Sequence, residues 1–452
     1  MTKDLDDHGQ LPVHEAVPTT LDQPGAVRFW IAIVLTGTGA GIGAAALAWL
    51  LRVVQRIAWG SPDSLLQAAT QASAIRHVLV LLAAGLVVGV GQWALVRLSS
   101  GNGIDITEAI WFSAGRLPKL RTLGSAVLSI LIVGMGASLG REGAPKQTGA
   151  VIGNALSDVG RLSDEQRRLI VACGAGAGMA AAYGVPLGGA LFSLEVLRGE
   201  LALRYVLPAL LASLVATVVS WVEVPDLPTY SLGHVASAHS ILVWAIIAGV
   251  VAGLVSVAYV KAVAFVYRRR PQGWKRLVAP VLALGLIGLL SLKYPEVLGN
   301  GRDVVRLALR NQLPVGTLAV LLLLRPLATL LCLGSGAPGG LFTPTLSIGA
   351  LLGGMLGYSW SLVLPGTPAD MYVIVGAAAV LAATTQGPVS TIVLMWELTG
   401  HDRSFAAPML AAVIVATLIA RSISSRSIYD AKLNDDEIRK RQRERSPTRR
   451  RS

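Results

Sequence analysis

The sequence predicts an all-α integral membrane protein built as a two-fold inverted repeat with broken helices. Three observations predict it. Only 14% of the 452 residues are charged and 53% are hydrophobic, against about 25% charged in soluble domains, and the mean hydropathy is +0.61. Apolar runs recur at close to bilayer-crossing length. A Pro-to-Glu signature then appears twice, once in each half.

Taken in order, residues 1–27 are polar, punctuated by proline and without a signal-peptide pattern, and read as a cytoplasmic segment. Phe29–Val54 is free of charge until Arg52. The runs His77–Val96, Leu123–Leu139, Tyr205–Val222, Ile241–Val266 and Ala406–Ala420 follow it, each near or beyond the ~20 residues that span a bilayer. GTGAGIGA (Gly37–Ala44) has a dinucleotide-like spacing. It lies inside an apolar run with no strand–turn–helix context, so close helix packing by small residues explains it better.

Loop charge sets the orientation. RRRPQGWKR (Arg268–Arg276) and the tail are rich in Lys and Arg, which places them in the cytoplasm, and the lysine- and arginine-free linker Glu223–Ser240 belongs outside. Both termini are then cytoplasmic, in a multi-pass protein of the cell membrane. The net charge of +13 could suggest nucleic acid, but the tail Arg439–Ser452 alone contributes +7. That tail, within 434–452, reads as a disordered anchor near anionic lipid, and no nucleic-acid partner is expected. Cys173 and Cys332 sit in apolar segments and read as packed thiols. The histidines make no metal-ligand spacing, no cofactor is implied, and the isolated carboxylates give no catalytic cluster, so an enzyme is not expected.

The duplication is visible in GVPLGGALFSLEVLRG (Gly184–Gly199) and QGPVSTIVLMWELTG (Gln386–Gly400). In each a proline precedes a lone glutamate by nine residues: Pro186 to Glu195, and Pro388 to Glu397. Upstream of each lies a Gly/Pro loop, GREGAP (Gly140–Pro145) and GGLFTP (Gly339–Pro344). The membrane domain is thus 28–433, with halves at about 28–222 and 240–432. Inverted repeats with broken helices place ligand sites near mid-membrane.

SSGNGID (Ser99–Asp105), GREGAP and GSGAPGGLFTP (Gly334–Pro344) each precede a helix-compatible run. A helix N-terminus carries partial positive charge and unpaired N–H groups, so several such ends aimed at one point make an anion site. Glu142 gains meaning there. A carboxylate in the membrane is a functional candidate by default. At a helix N-terminus its anionic form occupies the place an anion wants, and protonation releases it, making it both gate and proton acceptor. The plainer alternative is a salt bridge from Glu142 to Arg141 or Lys146.

These stretches resemble the CLC family of chloride channels and anion/proton exchangers. GREGAPKQTG is similar to that family's GREGP signature, SGNGID to its GSGIP loop, GGLFTP to its GxFxP loop, and RSISSRSIYDAKL (Arg421–Leu433) to its last helix. The resemblance runs in order from about residue 28 to 433. It implies that Glu142 gates, that amides around Gly143, Phe342 and Thr343 line the anion site, and that the Tyr429 hydroxyl reaches the central anion. It further implies a homodimer in lipid with a pore in each subunit, moving chloride or another halide, with protons as a second partner. It implies the compact type, because the residues after Leu433 are too few for the regulatory CBS domains that other members carry.

The departures from the family pattern bear on the substrate. Asn102 stands where the family has a coordinating serine, and Asp105 where it has proline. The fluoride/proton antiporters of the family also replace that serine, with asparagine among their choices, so they are the alternative; Phe342 matches the chloride-type members. Pro145 comes one place late, and Lys146 adds a charge at a usually neutral position. Lys146 either draws anions to an entrance or snorkels to the interface. Chloride exchangers usually carry an inner glutamate directly after the position of Glu195; this chain has Val196, as channels do. Exchangers without that glutamate exist in the family, fluoride exporters among them, so Val196 weakens proton coupling without excluding it and both modes stay open. Glu195 itself reads as structural.

Overall fold

A computed structural model describes residues 25–61, 64–99, 105–230, 240–400, 404–431, 433 and 436. Asn102, the segment before residue 25 and the basic tail from 437 lie outside the described residues. Within them are seventeen α-helices and no strand. Six helices are long and apolar enough to cross a membrane: Ala26–Trp59, Ala74–Leu98, Leu203–Ser220, Ser240–Arg268, Val315–Ser335 and Ala406–Ile423. The run expected as one span at Leu123–Leu139 is a helix only over Lys119–Gly134. Gly136, at φ 107°, turns the chain out of it, because a left-handed glycine ends a helix by returning late N–H groups to its last carbonyls. The dinucleotide-like glycines are helix-packing residues, since Cβ atoms on Gly37 and Gly41 would press on the carbonyls of Ala212 and Ala216 at 2.6 Å.

The two halves repeat element by element. Gly143–Val159 packs on Asp164–Tyr183, and Phe342–Ser361 packs on Ala369–Thr385. Ala26–Trp59 packs on Leu203–Ser220, as Ser240–Arg268 does on Ala406–Ile423. Close backbone approach is built into both sets. A Cβ on Gly149 would overlap the Gly174 carbonyl, and one on Gly353 would overlap that of Tyr372. The turns that follow also match. Gly184 and Gln386 both adopt the left-handed conformation, at φ 69° and 58°. Val185 (φ −127°, ψ 69°) and Gly387 (φ −120°, ψ 71°) then lead into Pro186 and Pro388, prolines at the first helical turn where no donor is lost.

The repeated glutamates show how the halves face each other. Glu195 accepts N–H bonds from Val389 and Ser390 at 3.1 and 2.6 Å, and Glu397 accepts them from Leu187 and Gly188 at 2.9 and 2.7 Å. Each carboxylate sits near the end of its own helix and neutralises the start of the other. The helices therefore lie side by side and antiparallel, which makes the repeat inverted. The symmetry is broken at Ser193–Arg198, a π-helical turn that follows Pro186–Phe192, whereas Pro388–Leu398 is a regular α-helix.

Candidate functional site

The two Gly/Pro loops meet. Gly140 and Gly340 form an antiparallel bridge with both N–H···O distances at 2.8 Å. Gly143 lies against Gly340, where a Cβ would sit 2.9 Å from the Gly340 nitrogen. This contact brings the starts of Gly143–Val159 and Phe342–Ser361, one from each half, to a common point inside the protein.

Glu142 occupies that point, with no exposed surface. One carboxylate oxygen accepts the Phe342 N–H at 2.6 Å. The other accepts the Thr343 hydroxyl at 3.1 Å and the Tyr183 hydroxyl at 3.2 Å. Phe342 is the first residue of its helix, so its N–H is one of those left without an intrahelical acceptor. The two hydroxyls also meet, at 2.6 Å. The salt-bridge alternative is not what forms. Arg141 donates instead to the Ala182 carbonyl at 3.4 Å and lies over the Tyr183 ring at 5.2 Å. Lys146 turns to Tyr429, its Nζ 3.4 Å from the hydroxyl oxygen.

The structure therefore brings Glu142, Gly143, Phe342 and Thr343 together. Tyr429 is linked to them through Lys146, which lies four residues beyond Glu142. The segment bearing Tyr429 is pinned by the Ile428 N–H to the Thr384 carbonyl at 2.9 Å, and its ring meets Phe192 edge-on at 5.6 Å. Val196 is buried on the π-helical turn and faces Gly387 in the seam between the halves. Lys146 is 5% exposed, so it is neither at an entrance nor snorkelling. A side chain four residues along the helix follows the inward face of Glu142, and here that face leads into the protein.

Sequence reasoning missed Tyr183. It ends the apolar Asp164–Tyr183 helix and looks like core, yet its ring packs at a tilt against Phe342, centroids 5.9 Å apart, and its hydroxyl holds the carboxylate. The tyrosine directly before a Gly-X-Pro helix start was the available signal.

Beside Arg141 and Tyr183 opens a cavity of about 400 Å³, which Arg52, Arg302 and Arg306 also line. Arg52 is paired with Glu223. Arg302, on the short helix Arg302–Leu309 outside the spans, has its guanidinium pushed down to about 10 by burial and by the charges of Arg141 and Arg306. Glu223, Glu296 and Asp303 line the same cavity, which borders the donors that the Glu142 carboxylate fills. Helix starts and hydroxyls gathered at one buried point favour a negative group there. Among the described residues no group of three or more His, Cys, Asp or Glu is placed to hold a metal ion.

Comparison with known proteins agrees with this geometry. The family model "Voltage gated chloride channel" matches residues 84–421. The chain is 32% identical over 401 residues to the voltage-gated ClC-type chloride channel ClcB of Salmonella typhimurium, covering 84% of this chain and 94% of that one. It is 33% identical over 364 residues to the protein of that name from Citrobacter koseri, covering 78% and 86%. Among solved structures, a slow cyanobacterial Cl−/H+ antiporter superposes with a TM-score of 0.78 at 25% identity, over 94% of this chain and all of that one. A CLC-type fluoride/proton antiporter shares the fold, with a TM-score of 0.66 at 22% identity over 90% and 98%. With its inverted repeat and its carboxylate at the meeting of two helix starts, the chain belongs to the CLC family of voltage-gated chloride channels.

Proposed function

We propose that the protein moves chloride across the membrane and that Glu142 is the gate. One observation carries this reading: the Glu142 carboxylate fills a site made of the Phe342 N–H and the Thr343 and Tyr183 hydroxyls. The Phe342 N–H and the two hydroxyls, aimed at one buried point, suit any small anion, and the carboxylate competes for them. Protonating Glu142, or swinging it aside, frees the site. The cavity feeds it from the side of residues 223–229, part of the Glu223–Ser240 linker that loop charge assigns to the outside. Asn102 and Tyr429 complete the path in this reading. The protein works as a homodimer in lipid with both termini cytoplasmic.

Val196 favours uncoupled conduction, because an apolar side chain relays no proton, and an exchanger lacking the inner glutamate is the second mode. The test is efflux from proteoliposomes loaded with chloride or with fluoride, recorded with external pH. Chloride efflux without proton movement is expected for the wild type. Proton movement against an anion gradient that Glu142→Ala abolishes would make it an exchanger, and a strong fluoride preference would favour the antiporter alternative. No efflux of either anion refutes the reading.

A further inference from the structure

We infer that the Lys146 ammonium is itself a ligand of the transported anion, a fixed positive charge inside the pathway that shares the anion with the Tyr429 hydroxyl. This rests on the function proposed above and adds a residue to it.

The geometry begins with the helix. The Lys146 N–H donates to the Glu142 carbonyl at 3.3 Å, so the two side chains leave one face of the helix, a turn apart. Glu142 points to the Phe342 N–H, and Lys146 reaches on to Tyr429, with Nζ 3.4 Å from the hydroxyl oxygen. Two rings hold the ammonium in place. It lies 4.5 Å from the centroid of Tyr429 and 5.2 Å from that of Phe192, within the range of cation–π attraction. The rings meet edge-on at 81°, so they wall the stem on two sides and keep it from bending toward the surface.

A buried lysine inside a membrane protein is costly to retain, and such charges mark ion pathways. Its chemistry narrows what it can serve. An ammonium has three N–H donors and no acceptor, so whatever joins it and the Tyr429 oxygen must accept hydrogen bonds and tolerate positive charge. A small monovalent inorganic anion does both, and a cation does neither. The Gly143–Val159 helix start then brings to the pathway one negative group that can move, Glu142, and one positive group that stays, Lys146. Without Lys146, an anion beside Tyr429 would face an ionised Glu142 with no compensating charge from this helix. With it, the ammonium offsets negative charge that Glu142, and Asp105 nearby, bring to Tyr429, and the anion can remain bound while Glu142 is ionised.

A structural tie between two segments would give the same static picture, so the test must separate charge from packing. Chloride binding to the full-length purified protein is measured by titration calorimetry, with proteoliposome efflux alongside. Samples are the wild type, Lys146→Met, and Lys146→Cys before and after reaction with 2-aminoethyl methanethiosulfonate, which restores an ammonium at nearly lysine length. Methyl methanethiosulfonate serves as the neutral control. Cys173 and Cys332 are buried, and the treated wild type gives their background.

Lys146→Met is expected to weaken chloride binding at least tenfold. Lys146→Cys should do the same, the aminoethyl reagent should recover most of the loss, and the methyl reagent should recover none. Binding within twofold of wild type in either substituted protein, or equal effects of the two reagents, overturns the inference and leaves the proposed function standing if the wild type conducts. A wild type that neither binds nor conducts chloride removes both. If Lys146→Met is not monodisperse, the cysteine samples decide, because one folded preparation is compared before and after modification.

Discussion

Replacing Tyr183 by phenylalanine deletes one hydroxyl and keeps the ring that packs at a tilt against Phe342 at 5.9 Å and lies under Arg141 at 5.2 Å. The lost contact runs from that hydroxyl to the Glu142 carboxylate at 3.2 Å, with the Thr343 hydroxyl 2.6 Å away. Thr343 has one hydroxyl hydrogen and can give it to Glu142 in the variant as in the wild type, so one donor is lost and not two. A hydrogen bond to a charged group contributes about 1.5–3 kcal/mol. This one is long and shared, which points to the lower end of that range. The balance between filled and vacated site then shifts by about tenfold, since 1.4 kcal/mol is one decade. If vacating the site limits transport, Tyr183→Phe should raise chloride efflux from proteoliposomes about tenfold at a fixed gradient, with the protein still monodisperse. Efflux at or below the wild-type rate would refute the idea that this hydroxyl holds the gate shut.

Other perturbations act on separate parts of the account. Arg302→Ala and Arg306→Ala should slow efflux several-fold near 0.01 M ionic strength, where the screening length is ~30 Å, and should match wild type near 1 M, where it is ~3 Å; a salt-independent loss would rule out steering. Glu195→Gln and Glu397→Gln each replace a carboxylate that accepts two helix-starting N–H groups with an uncharged amide. Each should cost about 1–3 kcal/mol, read as a lower thermal unfolding midpoint in detergent. Gly149→Val forces apart two helices that touch at Gly174 and should abolish the monodisperse protein on size exclusion. Gly184→Asn should unfold within a few degrees of wild type, because nothing lies near its Cβ and asparagine tolerates the left-handed turn that Gln386 already adopts in the other half.

Much of the architecture was legible because membrane insertion leaves a strong trace. Apolar runs mark the spans, and the paired Pro-to-Glu spacing exposed the duplication. That spacing could not show that Glu195 and Glu397 cap each other's helices. The exchange depends on the two halves running antiparallel, and chain order alone does not state direction in space. In the candidate site, Glu142 stood out because a charge is rare in apolar surroundings, and Phe342 and Thr343 only through the likeness of GGLFTP to a family motif. Tyr183 did not, since an aromatic residue ending an Ala/Gly-rich helix has the pattern of core. Lys146 was placed at the wrong depth for a related reason. Snorkelling is what a lysine does when its helix face meets lipid, and only the packed structure shows that this face meets Phe192 and Tyr429.

The central claim is that Glu142 occupies an anion's own site at the Phe342 N–H. Crystals of the wild type and of Glu142→Gln grown in bromide, with data collected at the bromine absorption edge, test it directly. The account predicts an anomalous peak within hydrogen-bonding distance of the Phe342 nitrogen and the Thr343 hydroxyl in Glu142→Gln, and none at that place in the wild type. No peak there in the variant, or equal peaks in both proteins, would contradict it.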